Sequence, residues 1–117
     1  SDQAVPALRE VLLRQSESEN LRLAAARALG DIHSDQAVPA LREVLLRQSE
    51  TENFRRRAAK LLSSIGGDRA VPALSEVLLR QSESENLRLA MARALGDIYS
   101  DQAVPALREV LLRQSES

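Results

Sequence analysis

Cysteine is absent from this chain of 117 residues, and aromatic residues and excess charge of either sign are scarce. Without cysteine there can be no disulfide, thiol nucleophile or cysteine-bound metal. The aromatic residues are Phe54 and Tyr99, so a core must consist mainly of Leu, Val, Ile and Ala. A net charge of −1 gives no general attraction to nucleic acid or to an anionic membrane. No apolar run approaches the ~20 residues of a membrane span. We therefore expect neither a nucleic-acid nor a membrane partner.

A repeat of 33 residues organises the whole sequence. The segment SDQAVPALREVLLRQ begins at Ser1, Ser34 and Ser100, and a close copy, GDRAVPALSEVLLRQ, begins at Gly67. The first and third periods differ at only five positions. Such similarity predicts a chain that was designed, built from a consensus or duplicated very recently. We expect a single repeat domain over 1–117, with a half-period at 100–117.

Each period predicts two helices, the first of which carries the proline. Over residues 2–15, the predicted apolar arc consists of Ala4, Val5, Ala7, Leu8, Val11 and Leu12. Ser1 or Asp2 can cap this helix, and the proline falls in its first turn, where few backbone hydrogen bonds are lost. Glu10 and Arg14 form a favourable pair four residues apart.

An alanine-rich helix is predicted over about 19–32, with a capping box from Ser16 to Glu19. Its expected buried stripe consists of Leu21, Ala25, Ala28, Leu29 and Ile32. The polar connection QSESE is expected to be solvated. If the short turn after Ile32 joins the main helix pairs, these pairs are 19–48, 52–81 and 85–114, and 1–15 is left without a partner helix. In total, the pattern predicts seven helices and no strands.

The run LRLAAARALGDI followed by SDQAVPALREVLL resembles the HEAT-like repeats of the phycocyanobilin lyase type. This resemblance covers essentially the whole chain. It implies an all-α fold, a right-handed α-solenoid of stacked antiparallel helix pairs. It also implies that the proline-bearing helices line the concave face and the alanine-rich helices the convex face. Many different proteins use such repeats, so the resemblance predicts the fold better than the function.

The candidate partner-binding surface is a ladder of three positions on the proline-bearing helices. Its residues are Pro6, Arg9, Leu13, Pro39, Arg42, Leu46, Pro72, Ser75, Leu79, Pro105, Arg108 and Leu112. Alternating guanidinium and aliphatic groups suit a peptide or protein partner, for which Arg is a favoured anchor. In the alternative interpretation, each leucine covers the edge of its own core and each arginine is solvated.

A second candidate surface would serve self-association, since neither end of the array carries the polar substitutions of a capping repeat. Its residues are Leu23, Leu89, Val104, Val110 and Leu111. The first two are expected to lie exposed, opposite the buried stripe of their helices. Single exposed leucines are also common without any function. We therefore expect a possible homo-oligomer formed through uncapped ends.

The sequence shows no set of residues with the types and spacing of a catalytic site. A lone histidine, His33, cannot form the paired His–Glu sites of di-iron enzymes, and no metal-binding spacing or glycine-rich phosphate loop is present. The serines have no neighbouring base. We expect no cofactor and no enzymatic activity. The predicted function is a scaffold or protein-interaction module in the cytoplasm, or a recombinant product if the chain is designed. The alternative is a natural fragment of a phycobilin lyase-like protein.

Overall fold

The structure is a computed structural model, and it describes residues 3–100 together with Leu112. The six α-helices of this part are α1 (Ala4–Leu13), α2 (Glu19–Asp31), α3 (Ala37–Leu46), α4 (Glu52–Gly66), α5 (Val71–Leu79) and α6 (Glu85–Ser100). A short 3₁₀ turn, Gly67–Ala70, precedes α5. Within this part of the chain there are no strands, as predicted. The seventh predicted helix falls almost entirely outside the described residues.

The alanine-rich helices begin at a hydroxyl residue that caps the first turn. Ser18 has an extended backbone, and its Oγ accepts a hydrogen bond of 3.1 Å from the amide of Leu21. Thr51 and Ser84 cap α4 and α6 in the same way. The predicted capping box beginning at Ser16 is therefore wrong. The first amides of α2 are within reach of Ser18, whereas Ser16 lies two residues earlier, in the preceding turn.

The helices stack as pairs in two layers. Helices that follow each other along the chain form the pairs α1 with α2, α3 with α4, and α5 with α6, and α4 also packs extensively against α6. Neighbouring pairs stack so that α1, α3 and α5 form one layer and α2, α4 and α6 the other. The pairing expected across the short turn, 19–48 and its equivalents, is wrong because α2 makes far more contacts with α1 than with α3. The N-terminal helix therefore has a partner, namely α2.

The core follows the predicted arc most closely in the central pair. In α3, which has a neighbour on both sides, the buried residues are Ala37, Ala40, Leu41, Val44 and Leu45. In α1 the equivalent residues Ala4 and Ala7 are exposed, and only Leu12 is fully buried. Burial of the arc thus depends on having a neighbouring pair on each side.

The predicted buried stripe of α2 is wrong at both of its ends. Leu21 and Ile32 are 49% and 45% exposed. The stripe that is buried runs through Arg22, Ala25, Ala26 and Leu29, which is also a helical spacing. The equivalents of Leu21 in later repeats, Phe54 and Leu87, are fully buried, because each faces the pair before it.

The turn from α2 into α3 depends on one residue with positive φ. His33 has φ 56°, and the amides of His33 and Ser34 donate to the carbonyls of Gly30 and Leu29. This arrangement ends α2 and returns the chain to the other layer. In the next repeat the positive φ, 53°, belongs to Gly67. Helix α6 behaves differently, because it continues through Tyr99, the equivalent of His33.

Candidate partner-binding surface

The ladder lies on the outer side of the α1, α3 and α5 layer, wherever the structure describes it. Pro6, Pro39 and Pro72 are exposed in every described proline-bearing helix. Arg42 is exposed, while Arg9 and Ser75 are partly buried. Pro105 and Arg108 lie outside the described residues. Over the described helices, the prolines of the ladder are thus consistently accessible, whereas its second position varies from partly buried to exposed.

The leucines of the ladder differ along the array. Leu13 and Leu46 are partly buried and pack against the core, as the alternative interpretation of the ladder expected. Leu79 is 74% exposed and Leu112 is 57% exposed. Leucine contributes to an accessible apolar surface mainly toward the C-terminal end.

A groove with a volume of about 1120 Å³ runs beside α1. One wall is α1 itself, with Pro6, Arg9 and Leu13, and the opposite wall is the turn between α2 and α3, from Ile32 to Gln36. The lining mixes apolar side chains with Arg9, Arg14, Glu10 and Asp35. Three ladder residues therefore line one concave site.

Arg9 has an unusual position at this groove. Its Nε is buried and has no hydrogen-bond partner among the described residues. A buried donor without a partner costs about 1–3 kcal/mol. The wall of the groove thus contains a buried donor without a partner among the described residues.

Behind the ladder, an arginine and a glutamate join each helix pair to the next. Nη1 and Nη2 of Arg22 donate to the two carboxylate oxygens of Glu50 at 2.8 and 2.6 Å. Nε of Arg22 donates to the carbonyl of Leu12 at 2.8 Å. This carbonyl is one of those left without an intrahelical donor at the C-terminal end of α1. The guanidinium also lies 4.1 Å from the ring centre of Phe54, within cation–π range.

The same arrangement recurs one repeat later, and we call each instance an Arg–Glu clamp. Arg55 donates to Glu83 at 2.9 and 2.6 Å and, through Nε, to the carbonyl of Leu45 at 2.9 Å. A second arginine supports each carboxylate, Arg47 at 3.2 Å from Glu50 and Arg80 at 3.6 Å from Glu83. The two clamps join three helix pairs through the same paired hydrogen bonds from an arginine to a glutamate.

Comparison with protein families finds the same architecture. A profile of HEAT repeats matches residues 1–51 and 44–117, which together span the chain. The chain belongs to the HEAT repeat family. A search of the curated proteins found no match.

The clamps lower the pKa values of their glutamates. At Glu50, burial is the largest influence and would raise the pKa, but hydrogen bonds and charge from Arg22 and Arg47 together outweigh it and lower the pKa. At Glu83, the hydrogen bonds from Arg55 are the largest influence and lower the pKa, with burial opposing them. Both carboxylates are therefore held in the ionised form.

These clamps correct the expectation that QSESE carboxylates are solvated. The side chains of Glu50 and Glu83 are only 4% and 10% exposed. Arg55, which belongs to a cluster of basic residues on one alanine-rich helix, is likewise buried at 4%. The sequence carried only the regular spacing of the two residues: the arginine recurs every 33 residues in these HEAT repeats, and the glutamate follows it by 28.

The exposed apolar spots expected on the alanine-rich helices are only partly present. Leu23 is 6% exposed, so the expectation that it contributes to an exposed patch is wrong. It lies on the side of α2 that packs against α4, where Gly30 comes so close that an added Cβ would meet Ile65. Leu89, its equivalent in α6, is 45% exposed. Val104, Val110 and Leu111 lie outside the described residues.

In the described part of these HEAT repeats, no group of three or more His, Asp or Glu side chains is arranged to hold a metal ion. None of the helices in that part combines the length and the apolar character needed to cross a membrane.

Proposed function

We propose that this chain is a non-catalytic scaffold that binds a peptide or protein segment along the outer face of α1 and α3. HEAT repeats commonly serve as protein-interaction scaffolds. The observation that carries the proposal is the Nε of Arg9, a buried donor without a partner at the edge of a groove of about 1120 Å³. If the Arg9 side chain turns into the groove, a carboxylate or carbonyl of a partner can accept a hydrogen bond from this donor.

The groove also indicates the chemistry of the bound segment. Pro6, Leu13 and Ile32 offer an apolar surface on either side of Arg9. Arg42, one repeat further along the layer, repeats the guanidinium at an exposed position. The best match is an extended segment with an acidic residue at Arg9, an aliphatic residue beside it, and a second acidic residue toward Arg42.

Selection of short random peptides displayed on phage tests this proposal. We expect enriched peptides to combine carboxylates with aliphatic side chains and to perturb NMR amide signals of α1 and α3. The double variant Arg9→Ser and Arg42→Ser should weaken binding at least about tenfold, because anchor residues at interfaces each contribute more than about 1 kcal/mol. Serine is a matched replacement, because Ser75 occupies this position in the third repeat.

A control variant separates this surface from the rest of the array. Arg57 is an exposed arginine on α4, in the other layer, and Arg57→Ser should leave peptide affinity unchanged. Lack of enrichment, or peptides that bind equally well to the double variant, would contradict the proposal.

The proposal extends to the origin of the chain and to the subtype of its repeats. Identity between repeats over most positions supports a designed, consensus-built or recently duplicated array. The phycocyanobilin lyase type remains the alternative, supported only by the resemblance of LRLAAARALGDI and AVPAL. Mixing the chain with bilin and an apo-phycobiliprotein tests it, and an unchanged absorbance spectrum rules it out.

A further inference from the structure

The first helix pair presents to solvent the side chains that later pairs bury against a preceding neighbour. We call this surface of α1 and α2 the front face. It carries Leu21 and Ile32, which are 49% and 45% exposed. The equivalents of Leu21 are Phe54 and Leu87, at 0% and 1%. Ile65, the equivalent of Ile32, packs against Gly30 of the pair before it. The front face thus has the apolar surface of an internal interface.

The third helix pair exposes side chains on its opposite side, which we call the rear face. Leu89 in α6 is 45% exposed, whereas its equivalent Leu23 is 6% exposed where α4 packs against it. Leu79 in α5 is 74% exposed, whereas Leu13 and Leu46 pack against the core. The rear face thus has the surface that a following pair covers inside the array.

The charges of the two faces are complementary in the manner of an Arg–Glu clamp. On the rear face, Nε of Arg88 donates to the carbonyl of Leu78 at 2.7 Å, as the arginine of each complete clamp does. On the front face, Glu17 occupies the repeat position of Glu50 and Glu83. Its carboxylate lies 3.7 Å from Nη1 of Arg14, and its side chain is 31% exposed.

The sequence adds a direct reason to expect the two faces to fit each other. Residues 1–18 are identical to residues 100–117 at every position. Inside the array, the segment that follows an alanine-rich helix is the one that packs on the pair before it. Any surface of α5 and α6 that suits 100–117 therefore suits residues 1–18 of another copy equally well, and that copy brings α2 in addition.

We propose that the front face of one copy docks on the rear face of a second copy, with Glu17 of the first and Arg88 of the second forming a third clamp. The interface is heterologous, so each copy in a pair keeps one unused face. Association then continues head to tail, giving an open chain of copies and not a closed dimer.

Sedimentation velocity on the 117-residue chain is the first test. We expect a monomer of 12.9 kDa at low micromolar concentration and a weight-average mass that keeps rising toward high micromolar concentration. A strictly monomeric mass throughout that range overturns the proposal. A mass that stops at a dimer also overturns it, because two identical patches would then meet.

Charge reversal identifies the pair of residues involved. Glu17→Arg and Arg88→Glu should each weaken association at least about tenfold, because each places like charges opposite each other at the interface. An equimolar mixture of the two variants should recover wild-type association, since every junction between unlike chains then pairs opposite charges. Absence of this recovery overturns the proposal, because Glu17 and Arg88 then do not face each other at the junction.

Two further variants exclude simpler explanations. Asp68→Arg makes the same change in charge at an exposed position between α4 and α5, away from both faces, and should leave association unchanged. Glu116→Arg makes the same change in charge at the repeat counterpart of Glu17, and should not weaken association, because the proposed junction uses Glu17. Thermal unfolding monitored by circular dichroism, at concentrations where each chain is monomeric, checks that every variant is folded.

Discussion

Glu50 and Glu17 occupy the same position of the repeat, but their surroundings differ completely. The side chain of Glu50 is 4% exposed and accepts hydrogen bonds from both Nη atoms of Arg22. Glu17 lies 3.7 Å from Arg14 with 31% of its side chain exposed. The chain therefore contains its own control for the effect of a neighbouring pair on a single carboxylate.

Glu50→Gln should lower the free energy of unfolding by about 3 kcal/mol, because it leaves the buried guanidinium of Arg22 without a counter-charge. Glu17→Gln should change it by less than about 0.5 kcal/mol, as is usual for exposed ion pairs. Urea unfolding of both variants under monomeric conditions measures the difference. Equal effects at the two positions would show that the clamp does not stabilise the fold.

Gly30 and Gly96 form a second matched pair of positions. A Cβ at Gly30 would lie 2.6 Å from Cδ1 and 2.8 Å from Cγ1 of Ile65, whereas in the described structure no such neighbour lies within 4 Å at Gly96. Gly96→Ala should stabilise the chain by about 1 kcal/mol through helix propensity alone. Gly30→Ala should destabilise it by about 1 kcal/mol, since overpacking outweighs that gain. Shifts of the same sign in thermal unfolding would contradict this.

Among the ion pairs, the sequence predicted only those between residues four apart along the same predicted helix. Glu10 with Arg14 was predicted from spacing alone and is present at 3.1 Å. The pair of Arg22 and Glu50 was not predicted, because its partners are 28 residues apart and belong to different helix pairs. An arginine in an alanine-rich helix and a glutamate in a polar loop each look solvated until the packing of the pairs is known.

Among the elements, the interfaces between helix pairs depend on pH. The clamps lower the pKa values of Glu50 and Glu83 below the ordinary value of 4.5. A carboxyl whose pKa is lower in the folded state stabilises the fold above its unfolded pKa. That contribution is lost as the pH falls through the folded pKa. Stability should therefore decline as the pH drops below about 4.5, in the range of carboxyl titration.

Urea unfolding at a series of pH values from neutral to strongly acidic measures this decline. The double variant Glu50→Gln and Glu83→Gln should be less stable at neutral pH and should lose less stability on acidification. Parallel curves for the variant and the wild type would mean that other carboxyls cause the acid sensitivity.

Prediction at the scale of the elements was good for the helices and poor for their faces. The 3.6-residue periodicity gave all six described helices within a few residues of their ends. The predicted buried side of α2 is rotated about the helix axis relative to the observed one. Leu21 and Ile32 were expected to be buried but are exposed, and Arg22, which was not considered, is buried. At the same repeat positions in the later pairs, Phe54 and Leu87 are buried, and Ile65 and Ile98 are partly buried against the core. In the first pair none of the described helices covers them, and hydrophobicity alone does not distinguish the two cases.

For the whole molecule, two layers of stacked pairs imply that stability varies along the array. Each pair touches only its neighbours, so the central pair gains two interfaces and the first pair one. Amides of α3 and α4 should therefore exchange hydrogen most slowly, and those of α1 faster by about tenfold or more. Hydrogen exchange measured by NMR under monomeric conditions tests this. Uniform protection from α1 to α4 would instead indicate a single cooperative unit.

The clamp also determines how such an array can change in length. Every clamp joins one pair to the next through the same side chains, and its partners always lie 28 residues apart. Unequal crossing-over between nearly identical gene segments adds or deletes whole periods of 33 residues. Each such event leaves the remaining clamps intact and creates no unfamiliar junction. An insertion or deletion of a single helical turn, in contrast, moves an arginine away from its glutamate and leaves a buried guanidinium unpaired. The array can therefore lengthen or shorten only by complete repeats.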